Sequence, residues 1–96
     1  MIVKGSNGVE LVVNLWEKSR PYNLAGATVE IALRTGARVV VKTATIVRDG
    51  IVSVTLTSED IATAGNYFIQ ARVNNLDGAS FTSEMGSFTI DESIFP

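Results

Sequence analysis

Apolar and polar residues alternate with a period of two along most of the chain. Val9, Leu11, Val13 and Leu15 are separated by Glu10, Val12 and Asn14. Ala27, Val29, Ile31 and Leu33 alternate with Thr28, Glu30, Ala32 and Arg34. Val52, Val54 and Leu56 alternate with Ser53 and Thr55, and Tyr67, Ile69, Ala71 and Val73 with Phe68, Gln70 and Arg72. Successive side chains of a strand point to opposite faces. Each set therefore sends one row into a core and the other toward solvent or a partner.

Turn signals fall between these runs. Thr35-Gly36 and Asp49-Gly50 each separate two strand patterns, and Asp-Gly suits a two-residue hairpin whose central residues need positive φ. Residues 74–78, Asn-Asn-Leu-Asp-Gly, make a longer hairpin loop. Residues 19–26 form a wider crossing, in which Pro21 bars a continued ladder. Ser58-Glu59-Asp60-Ile61 reads as one capped helical turn ending near Gly65. The pattern predicts about seven strands, at 9–17, 27–34, 37–42, 43–48, 51–57, 66–74 and 79–90, with the third and fourth open to being one bent strand. Met85-Gly86, inside the last run, marks a possible bulge. Short strands punctuated this often indicate an all-β antiparallel sandwich or barrel. The wide links at 19–26 and 57–66 suit crossings between sheets, which favours an immunoglobulin-like sandwich.

Composition supports this reading. Val, Ile and Thr supply 29 of 96 residues, and such β-branched side chains favour pleated surfaces. The length suits one domain, residues 1–96, with short tails at 1–8 and 92–96. There is no Cys and no His, so disulfides, thiolate metal sites and histidine general-base chemistry are excluded. An enzyme here would have to run on carboxylates, tyrosine or lysine, so the expectation is a protein that is not an enzyme and has no cofactor. The net charge of −2 carries both signs scattered along the chain, with no basic run for nucleic acid. The N-terminus lacks the layout of a signal peptide, and no apolar run approaches a membrane span. A soluble protein made in the cytoplasm is expected.

A few residues invite a sharper reading. Tyr67, two residues after Gly65, opens the second-last strand, the place of a tyrosine corner whose hydroxyl returns to upstream backbone. Gly65 would give that backbone room for a close approach. A catalytic Tyr67 would need a neighbour to lower a pKa of about 10, and none is evident. Trp16 and Tyr22 flank the first crossing; they either stack on a sugar ring or cover one end of the core together. Asn74, Asn75 and Asp77 supply oxygens but lack the spacing of a calcium loop. Glu59-Asp60 and Asp91-Glu92 are adjacent pairs, which point apart on a strand. Ile2 and Val3 at one end, and Ile94 and Phe95 at the other, lie beyond the confident strands; they either tuck onto their own sandwich or dock onto another subunit, with docking the favoured reading. The outward Phe68 and the Val40 and Val12 rows are further contact candidates, and sandwich edges suit strand addition.

The order of these features resembles the immunoglobulin-like domains of tailed-bacteriophage virion proteins, in particular the N-terminal domain of the upper baseplate protein family. Leu24, Gly26, Ala27 and Thr28 are similar to that family's start of the second strand, and Gly65 and Tyr67 to its glycine-x-tyrosine strand. The similarity spans most of residues 9 to 91. It implies a structural role in the virion, partners among the major capsid or baseplate proteins, and a possible homo-oligomer. Upper baseplate proteins carry a long region after this domain, whereas this sequence stops at Phe95-Pro96, which favours a capsid decoration or auxiliary head protein. A carbohydrate- or cell-surface-binding adhesin module is the alternative.

Overall fold

A computed structural model describes residues 2–17, 19–83 and 85–94. Among them every regular element is a strand: β1 (Ile2–Val3), β2 (Val9–Asn14), β3 (Trp16–Glu17), β4 (Arg20–Pro21), β5 (Thr28–Thr35), β6 (Arg38–Thr43), β7 (Thr45–Arg48), β8 (Ile51–Leu56), β9 (Gly65–Asn74), β10 (Ser80–Thr82) and β11 (Gly86–Asp91). The large sheet runs β1-β11-β9-β5-β6, with β10 also on β9, and the small sheet runs β2-β8-β7. β3 and β4 form a separate two-residue ladder, Trp16 opposite Pro21.

Period-two burial builds the core from both sheets. Val29, Ile31 and Leu33 of β5 and Tyr67, Ala71 and Val73 of β9 share one cluster with Val52, Val54 and Leu56 of β8. Val9, Leu11 and Val13 of β2 pack against this cluster, so the two layers close on each other. The expected core rows are thus the observed ones. Burying such side chains contributes about 1.5–3 kcal/mol each.

Three details differ from the expected strands. The run 9–17 breaks at Leu15, whose N–H donates to the Gly50 carbonyl at 2.6 Å while its own carbonyl accepts from Tyr22 at 3.0 Å. The run 79–90 is two strands on one side of β9. Thr82 faces Arg72 but Gly86 faces Ile69, so one extra residue is accommodated between them. Ser83 lies in that interruption: its N–H donates to the Ala71 carbonyl and its Oγ accepts the Ala71 N–H at 2.9 Å, replacing ladder bonds. Within the expected N-terminal tail, Ile2 and Val3 form β1, parallel to β11 with Ile2 opposite Ile90.

The bent strand takes a specific form. β6 belongs to the large sheet and β7 to the small one, with only Ala44 between them. Ala44 is buried, and its N–H closes the β5 ladder on the Val29 carbonyl at 2.8 Å. Lettering the seven expected strands A to G in chain order, the layers read A-E-D and G-F-B-C. The constant-type immunoglobulin order places B beside E instead. The sandwich layering is present; that strand order is not the observed one.

No helix forms at 58–61. The Thr57 N–H donates to the Asp60 carboxylate at 2.8 Å, and the Asp60 N–H points back to Thr57 Oγ1 at 3.4 Å. This reciprocal pair closes one turn. The chain then drops Ile61 fully into the core instead of continuing a helix.

Candidate contact surfaces

Tyr67 is enclosed by its own domain. It is 1 % exposed, its ring stacks on Phe88 at 5.5 Å, and its hydroxyl donates to the Thr63 carbonyl at 2.6 Å. That is the geometry of a tyrosine corner. Gly65 contributes differently from the expected close approach. A Cβ there would meet nothing within 4 Å, but φ is +131°, where L side chains rarely sit.

The same corner is tied from its other side by an ion pair. Lys42 Nζ donates to Asp60 Oδ2 at 2.5 Å, with both side chains largely buried. Burial opposes ionisation of Asp60, yet hydrogen bonds from Lys42 and Thr57 and the ammonium charge outweigh it. The Asp60 carboxyl is held below its ordinary value of 3.8. The pair joins β6 to the 57–61 turn; among the described residues no group of three Asp and Glu side chains is placed to hold a metal ion. In the 74–78 loop Asp77 accepts the Ala79 N–H and Asn75 donates to Tyr22.

Trp16 and Tyr22 are not brought together as a stacking pair. Trp16 is 57 % exposed, whereas Tyr22 is half-buried with its ring stacked on Phe81 at 5.1 Å. Nor do they cover one end of the core jointly. Trp16 instead lines a cleft of about 520 Å³ between β2 and the interrupted β10–β11 edge, together with Val13, Leu15 and Phe81.

The terminal candidates separate. Ile2 packs against the domain's own core, and Val3 lies in the β1 ladder, where Lys4 and Gly5 continue the attachment through bonds to Asp91 and Ile61. Ile94 is almost wholly exposed. Phe95 lies outside the described residues.

The outer face of the large sheet gathers several exposed apolar side chains. Phe68 is exposed there as expected, but Val40 is half-buried opposite the buried Leu33, and Val39 and Val41 are the exposed residues of β6. Register places Arg34 between Val39 and Phe68, and Ala32 between Val41 and Gln70. The Arg34 guanidinium lies 5.0 Å over the Phe68 ring and reaches toward the Met85 sulfur at 4.0 Å. A depression of about 200 Å³ lies among these side chains. In the next rows Arg72 is paired with Glu30 at 3.0 Å. On the small sheet, Val12 and Val47 are exposed singly. Sequence reading missed Arg34, because its place depends on cross-strand register.

Fold and surface together define a class: an all-β domain of two layered sheets with apolar side chains displayed on the outer face of the larger one. The chain belongs to the BppU N-terminal domain family, the N-terminal domain of the phage baseplate upper protein, whose family model matches residues 3–96. It is accordingly a structural domain of a phage baseplate protein, which implies a place in the virion and contact with other virion proteins. No curated protein matches the chain.

Proposed function

We propose that the chain is a non-catalytic protein–protein contact module of the baseplate, held to neighbouring virion proteins through an exposed sheet face and the C-terminal segment around Ile94. The observation that carries this reading is the outer face of the large sheet in a baseplate-family domain. Val39, Val41 and Met85 are each more than half exposed there, beside Phe68. Clustered apolar side chains of this kind are a usual mark of an interaction site. Capsid decoration is a second location compatible with such a module, but family membership favours the baseplate. Ile2 serves the domain's own core, so docking through the first residues loses its support.

The test is to tag the chain in phage particles and locate it by immunogold labelling. Label at the tail tip supports the baseplate reading, label over the head supports decoration, and a chain missing from particles refutes both. Self-association is checked by light scattering of the purified chain across a hundredfold concentration range; a stable closed ring would make a second copy one of the partners.

The adhesin reading keeps one supporting observation, the exposed Trp16 beside its cleft. Titration of host cell-wall polysaccharide against Trp16 fluorescence tests it. A saturable shift that Trp16→Ala abolishes would favour it, and a flat trace would remove it.

A further inference from the structure

We propose that the outer face of the large sheet around Arg34 is the docking site for another virion protein, one that presents an Asp or Glu carboxylate between apolar side chains. The inference rests on the baseplate reading and deepens it by naming the face and the chemistry of the partner.

Charge decides the occupant. Among the described residues the ion pairs are Lys4–Glu92, Lys42–Asp60 and Arg72–Glu30, and Arg34 has no carboxylate of its own. Arg38, the next cation along the hairpin, donates to the Glu59 carbonyl at 2.8 Å. Among the described residues Arg34 thus meets the Phe68 ring and the Met85 sulfur with its guanidinium, and no carboxylate. Its guanidinium is held over Phe68, with Val39 and Met85 lining the same depression. A guanidinium held over a ring keeps N–H groups for a bidentate carboxylate. A group positioned before binding loses less rotamer freedom on contact. Arg and aromatic side chains within an apolar surround are the usual anchors of an interface.

A second copy of this chain fits less well. A two-fold contact centred on so small a patch would bring two Arg34 guanidinia together, and like charges oppose association. A neutral glycan would leave the guanidinium without its counter-charge.

The test uses phage particles carrying the chain, with the photo-crosslinker p-benzoylphenylalanine placed at Val41 on this face or at Thr55, an exposed residue on the outer face of the small sheet. Incorporation is measured separately by mass spectrometry of purified particles. The expected result is a crosslink from position 41, and not from 55, to a different virion protein. Arg34→Glu should reduce that crosslink by about tenfold or more, with Arg34→Lys intermediate and the melting temperature of the purified chain unchanged in both.

A crosslink only from position 55, a crosslink from 41 to a second copy, a crosslink that Arg34→Glu does not change, or no crosslink in particles that contain the chain would overturn the docking face while leaving the baseplate reading intact. Absence of the chain from particles would overturn both.

Discussion

The Tyr67 hydroxyl sits 2.6 Å from the Thr63 carbonyl, four residues upstream, and ties the start of β9 to the turn that precedes it. Tyr67→Phe keeps the ring stacked on Phe88 and removes only this bond. The substitution should cost about 1–3 kcal/mol. Thermal melts check the loss, and co-purification with baseplate proteins checks that partner contacts survive. Unchanged stability together with lost partner binding would make Tyr67 a contact residue instead.

Asp60 should make part of the domain's stability acid-sensitive. Its folded pKa lies below the ordinary 3.8, so the folded state favours the ionised form more than the unfolded chain does. That contribution is fully present above the unfolded value and is lost as pH falls through the folded one. Denaturant melts should therefore show stability falling below about pH 4, with the Asp60 share of the fall absent in Asp60→Asn. At neutral pH Asp60→Asn should destabilise by about 1–3 kcal/mol, because the half-buried Lys42 ammonium loses its counter-charge. Equal pH slopes in the two proteins would assign the acid sensitivity elsewhere.

Two glycines of similar backbone separate strain from contact. Gly36 has φ of +58° and open space around it. Gly50 has φ of +78°, and a Cβ there would come within 2.6 Å of Pro21 Cβ and 3.0 Å of the Leu15 carbonyl oxygen. Gly36→Ala should cost about 1 kcal/mol from strain alone, and Gly50→Ala about 2 kcal/mol or more. The comparison is made by urea unfolding of both variants. Equal costs would mean that the β7–β8 turn moves freely away from Pro21.

Removing residues 1–6 should weaken the domain, since β1 covers the edge at Ile90 and Ile2 packs on the core. Loss of Ile2 burial alone accounts for about 1–2 kcal/mol. Ile94→Ser, by contrast, should leave the melting temperature unchanged and lower recovery in particles. A truncated chain as stable as the parent would show that β1 adds nothing.

How much of this was legible in the residues depended on local alternation. β5, β8 and β9 alternate cleanly, so their buried rows follow from period two. β6 carries three consecutive valines, Val39 to Val41, and nothing local sets which of them faces out. Pairing with β5 does, and it exposes Val39 and Val41 in place of Val40. The two-residue β1 is too short to leave a periodic signal. Ala44 gives no glycine or proline warning that the chain changes sheets. Phe68 was legible as outward from the period of β9, but its contact with Arg34 was not. Residues thirty-four apart in sequence meet only through ladder register.

The crossing at Ala44 joins the two layers covalently through a single residue. β6 and β7 are continuous backbone shared by both layers. A neighbour tugging on the Val41 side of the domain pulls, through only a few extended residues, on the layer that carries Val47. The layers, about 10 Å apart as packed sheets are, cannot shear past each other there without drawing out the buried Ala44.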